Sequence, residues 1–160
     1  MRPSLLLTIL FLVFSCAPHY CYIVRHAEKL DSTPHSLLSA EGHRRAEVLR
    51  DSLIDKKIDL IYVSNLQRTR QTAQPLATAI DKDMIQYRHN AVDSMVRVIN
   101  SHRTKNTLLV GHSGSIPGII LGVTGQKVEP ITENEYNHFF IVKLTRSKAE
   151  LIQKRYGSSQ

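Results

Sequence analysis

A short apolar run, Tyr22-Ile23-Val24, ends abruptly in Arg25-His26, and the arrangement returns downstream, where residues 108–111 deliver His112. In open α/β sheets, ligands collect beyond the carboxyl ends of parallel strands. Two strand-end histidines, one with an arginine beside it, therefore call for a fold that gathers such ends on one edge.

The rest of the chain supplies the connections such a fold needs. Residues 29–35 have loop composition, and Ser39 reads as an N-cap with Glu41 in the first turn. It opens a helix through Leu53 whose apolar positions Ala46, Leu49 and Leu53 recur at helical spacing. Residues 58–63 form the second strand, followed by helix to about Ile80, with Pro75 where a first short turn hands over to a second. Residues 84–87 are a short strand. Asp93 opens a helix through Asn100 with Met95, Val96 and Ile99 on its apolar face, and a further helix runs over residues 114–121 with Pro117 in its first turn. Residues 137–144 and 149–155 then alternate as a hairpin around Arg146-Ser147-Lys148. Alternating strands and helices closed by a hairpin predict an α/β fold: three layers, α/β/α, with a mostly parallel sheet and a C-terminal β-hairpin.

At 160 residues the chain is one domain with room for a substantial core. Its formal charge is +7, but the basic residues are interspersed with Asp and Glu and aromatics make up only 6%, which argues against a nucleic-acid surface. The positive balance instead suits phosphorylated or otherwise anionic substrates. The two cysteines, Cys16 and Cys21, form no C-x-x-C pair, and the eight histidines show no metal-ligand spacing, so neither redox work nor a metal is expected.

Arg2 and the uncharged run at residues 5–14 have the form of a signal-peptide core, too short to span a bilayer comfortably. Val13-Phe14-Ser15-Cys16 resembles a loose bacterial lipobox, with Cys16 as the lipidated first residue. Ordinary cleavage after Ala17 is the competing reading, with Pro18 counting against it. A buried first element with Cys16 as a plain apolar residue fits less well, because Ala17-Pro18 breaks the chain there. Residues 1–16 are thus expected to be an export or lipoprotein signal and residues 17–160 the functional domain. The protein would be exported and anchored to the bacterial envelope membrane through lipid on Cys16, or otherwise periplasmic or secreted.

Three separated segments carry a family resemblance: R-H-A-E at residues 25–28, S-N-L-Q-R-T-R-Q-T-A at residues 64–73, and V-G-H-S-G-S-I-P at residues 110–117. Together with Leu38-Ser39-Ala40-Glu41-Gly42 they resemble the histidine phosphatase superfamily, the phosphoglycerate mutase-like proteins, in its compact single-domain form. The resemblance runs from about Tyr22 to Leu144. It implies that His26 is the nucleophile, that Arg25, Arg68 and His112 bind the phosphoryl oxygens, and that no cofactor or metal is required. Ser64, Leu66, Thr69, Gln71 and Thr72 match the pattern around Arg68, whereas Arg70 reads as a surface charge.

From the residue types, His26 would attack as neutral imidazole to form a phosphohistidine that water then hydrolyses, while guanidinium groups hold the charge. Ester hydrolysis also wants a general acid. His112 is followed by Ser113, so the candidates are Glu28, with a salt bridge as its alternative role, and Asp93, which looks like a helix cap. The expected partner is a phosphorylated small molecule or phosphoprotein. The alternative is a lipoprotein that binds a phospho-ligand without turnover.

Overall fold

The computed structural model describes residues 17–157; residues 1–16, which carry the signal and Cys16 readings, lie outside the described residues. The elements are β1 (His19–Arg25), α1 (Ala40–Leu53), β2 (Leu60–Ser64), α2 (Gln67–Ala79), β3 (Met84–Tyr87), α3 (Val92–Ser101), β4 (Thr107–Gly111), α4 (Ile116–Thr124), β5 (His138–Leu144) and β6 (Ala149–Arg155), with a 3₁₀ turn at Ile54–Lys56 after α1. They form one six-stranded sheet in the order β3-β2-β4-β1-β5-β6. β1, β2, β3 and β4 pair in parallel, and β5 and β6 add an antiparallel hairpin beside β1.

The central strands are apolar on both faces, as a sheet covered on both sides requires. On one face Ile23, Leu109, Phe140 and Val142 pack with Met95 and Ile99 of α3 and with Ile116, Ile119 and Ile120 of α4. On the other, Val24, Val63, Leu108 and Val110 pack with Leu49 and Leu53 of α1 and with Ala73, Leu76 and Ala77 of α2. The three-layer α/β/α arrangement with a mostly parallel sheet follows directly. Cys21 is fully buried in the first of these cores, and burial pushes its thiol up to about 12, so it packs as an apolar group.

Three local expectations shift. α2 continues through Pro75 as one helix rather than two short ones; Leu76 and Ala77 beyond it are buried against the sheet, and that packing holds the helix together across the missing donor. α4 starts at Ile116 rather than at 114, because the carbonyl of His112 accepts from both Ser115 N–H and Ile116 N–H in a tight turn. Asp93 is not the cap of α3. The N-cap is Ala91, and Asp93 lies in the first turn.

Candidate active site

Strand register assembles the site. β1 and β4 pair in parallel with Arg25 opposite Gly111, so the next residue of each strand, His26 and His112, emerge side by side. His26 N–H donates to the Gly111 carbonyl at 3.0 Å, and the two imidazole centroids are 5.2 Å apart. β2 pairs with β4 through Val63 opposite Val110, which brings Ser64 to the same edge, where its Oγ lies 2.8 Å from His112 Nε2.

The loop after His26 is fixed from two directions. Ala27 N–H donates to Thr72 Oγ1 of α2 at 2.9 Å, and Ser39 N–H donates to the Glu28 carbonyl at 2.9 Å. Ser39 also caps α1, its Oγ accepting from Gly42 N–H at 3.1 Å, as the sequence predicts. His26 Nδ1 lies 2.8 Å from the Ala27 carbonyl. A carbonyl only accepts, so Nδ1 carries the proton and Nε2 is left with a free lone pair. Burial, the dominant cause, lowers the His26 pKa to about 3, with His112, Arg25 and Arg68 adding repulsion. His112 is lowered to about 3 as well, by burial first and then by Arg68, His89 and Arg25. Both rings are neutral at physiological pH.

Two guanidinium groups reach the same edge. Arg25, only 3% exposed, gives its Nη1 to the carbonyls of Thr132 (2.7 Å), Glu133 (2.9 Å) and Glu135 (3.2 Å), while its Cζ sits 4.2 Å from the centre of the Tyr136 ring. Arg68, in the first turn of α2, donates Nη1 to the Pro34 carbonyl at 2.7 Å. The Nε–H of each is buried without an acceptor. Burial lowers the pKa of both arginines, and Arg25 lowers that of Arg68 further. Two mutually repelling cations with orphaned buried donors form a site built for an anion.

The family model of the histidine phosphatase superfamily (branch 1) matches residues 21–90, the span that carries His26 and Arg68. Over those residues the chain is similar to the histidine phosphatase superfamily. Its fold is that of solved phosphatases at low sequence identity. The protein histidine phosphatase SixA complexed with tungstate superposes with a TM-score of 0.72 at 15% identity, over 85% of this chain and 96% of that one. A putative SixA phosphohistidine phosphatase from Nakamurella multipartitia gives 0.66 at 19% identity, over 89% and 98%. A putative alpha-ribazole-5'-P phosphatase from Escherichia coli gives 0.68 at 15%, over 89% and 97%. No curated protein sequence matches the chain.

Within this site, the structure brings Arg25, His26, Arg68 and His112 together and treats the two acid candidates differently. Glu28 is buried, and its Oε1 accepts from Arg45 Nε and Nη2, each at 2.7 Å, which is the salt-bridge role. Asp93 is exposed and makes no hydrogen bond or ion pair among the described residues. Arg70 is exposed on α2, as its reading as a surface charge requires.

Two aromatic side chains at this site escaped the sequence reading. Tyr136 lies against Arg25, its ring 6.0 Å from that of His26. No periodicity signals it, because it sits in the irregular segment before β5. His89 follows the carboxyl end of β3 and meets His112 edge-on, with ring centroids 6.1 Å apart at 87°. The strand-end logic that found His26 and His112, applied to the short strand at residues 84–87, would have found it too.

Proposed function

We propose that this protein is a metal-independent phosphatase that hydrolyses a phosphomonoester or phosphoramidate through a phosphohistidine on His26. The observation that carries the reading is the Nδ1 bond of His26 to the Ala27 carbonyl. It leaves a neutral imidazole with its Nε2 lone pair free, beside two guanidiniums whose buried Nε–H groups lack an acceptor. In the first step Nε2 attacks phosphorus in line with the leaving oxygen; in the second, water displaces His26 and frees phosphate. Arg25 and Arg68 supply the positive charge that metal ions supply elsewhere, as preorganised donors to the non-bridging oxygens.

His112 acts as the third group on the phosphoryl oxygens, and Ser64 holds its ring. Thr69 Oγ1 has carbonyls of Leu66 (2.7 Å) and Ser64 (3.0 Å) to take its single proton, so it offers Ser64 Oγ only a lone pair at 3.0 Å. Ser64 Oγ, 2.8 Å from His112 Nε2, fixes the orientation of the imidazole.

The substrate is a phosphorylated small molecule or phosphoprotein, in keeping with neighbours named as histidine or small-molecule phosphatases. The residue 5–14 run and the V-F-S-C segment support an exported protein anchored through Cys16. Only Ala17 and Pro18 separate Cys16 from β1, a reach of roughly 7 Å when extended, so β1 would begin near the membrane and present His26 at its far end, toward soluble substrates.

The test is aryl phosphate hydrolysis by purified protein with a chelator present and His26→Ala alongside. Turnover that survives chelation and is lost in the variant supports the reading. No turnover of aryl phosphate or phosphohistidine by folded protein overturns it in favour of a binding protein.

A further inference from the structure

We propose that His89 is the proton donor to the leaving oxygen, a role that rests on the phosphatase reading above and deepens it. Neither carboxylate singled out in the sequence is placed for it. Glu28 is held in its ion pair with Arg45, and Asp93 is exposed and makes no hydrogen bond or ion pair among the described residues. The Tyr136 ring is 6.0 Å from that of His26 and is occupied by Arg25, whose Cζ lies 4.2 Å from its centre.

In-line displacement places the leaving oxygen on the side of phosphorus away from His26. The three imidazoles are arranged to match. His112 lies next to His26, with centroids 5.2 Å apart, and His89 meets His112 at 6.1 Å. Their order follows from the sheet, because β1, β4, β2 and β3 are successive neighbours and Ser64 of β2 pairs with Tyr87 of β3.

His89 is also held in place. Asn65 N–H donates to the Tyr87 carbonyl at 2.9 Å, and Asn65 Oδ1 accepts from His89 N–H at 3.2 Å, so the end of β2 clamps the turn after β3. The ring itself is exposed, where a leaving group would depart and where the proton can be replaced from solvent.

The step balances. As the bond from His26 Nε2 to phosphorus forms, the bond from phosphorus to the leaving oxygen breaks, and that oxygen keeps the electron pair and takes a proton from the His89 imidazolium. In the second step water attacks phosphorus and gives its proton to neutral His89, while the nitrogen–phosphorus electron pair returns to His26. The consequence is substrate range: alkyl phosphates, whose alkoxides leave poorly without a proton, become substrates alongside aryl phosphates.

The experiment compares kcat/KM of the full-length protein and of His89→Ala and His89→Gln for p-nitrophenyl phosphate and for glycerol phosphate. This parameter reports leaving-group departure and is blind to the later hydrolysis. Both variants are expected to lose ~10²-fold or more on the alkyl ester and only a few-fold on the aryl ester, at unchanged melting temperature. An equal loss on both esters would mean that His89 merely binds the phosphoryl group, and would overturn the proposal. So would undiminished alkyl turnover in the variants, or a wild-type protein that hydrolyses the aryl ester alone. Failure of the wild-type protein on both esters overturns the donor role, and failure on phosphohistidine as well overturns the phosphatase reading itself.

Discussion

Replacing Gly42 by alanine tests whether the packing of α1 positions the nucleophile. A Cβ at this position would lie 2.3 Å from the Glu28 carbonyl oxygen and 3.1 Å from both Glu28 N and Leu38 Cβ. An ordinary carbon–oxygen approach is ~3.3 Å, so α1 or the loop after His26 must move by about 1 Å. Overpacking of this kind costs about 1–3 kcal/mol, and the better helix propensity of alanine returns about 1 kcal/mol. The net loss of about 0–2 kcal/mol should lower the melting temperature by no more than about 8 °C. Activity should suffer far more. Glu28 is two residues from His26, and a displacement of ~1 Å at a reacting group costs on the order of 10²-fold in rate. Thermal melting and aryl phosphate kcat/KM, measured on the same preparation, read the two effects separately. A Gly42→Ala protein with wild-type kcat/KM would refute the claim that this close approach sets the nucleophile.

Two further outcomes are expected. Glu28→Gln removes one member of a buried ion pair whose side chains are 4% and 11% exposed, so urea unfolding should show a loss of about 3–5 kcal/mol; a loss below about 1 kcal/mol would mean that the pair contributes little. Stability should also fall as pH drops below about 6.5. His26 and His112 stay neutral in the folded protein down to about pH 3, whereas the unfolded chain protonates both near their ordinary 6.5. The unfolded state therefore binds more protons across that window. Urea midpoints at pH 7.5 and 5.0 should differ, and the difference should shrink in a His26→Asn, His112→Asn double variant; an unchanged difference would refute the assignment.

Much of this arrangement is legible in the chain because it depends on short-range pattern. Strand runs such as residues 108–111 are apolar and bounded by loop chemistry, and a strand's end fixes which residue projects from the sheet edge. That suffices to place Arg25, His26 and His112; helix-start chemistry suffices for Ser39, and Arg68 is marked by the family resemblance. The short strand at residues 84–87 is equally visible and points to His89, but the hold that Asn65, 24 residues earlier, has on its turn is not.

The sequence by itself determined the alternation of strands and helices, the covered parallel sheet, and the strand-end imidazoles and arginines, since each is written in spacing a few residues long. Only the tertiary structure decided how those groups are used. Glu28 is drawn to Arg45 across 17 positions, and Arg25 gives its Nη1 to carbonyls more than 100 residues away. Such partners are chosen by register and by the path of the segment before β5, where burying a charge requires whichever acceptor the folded chain brings within reach.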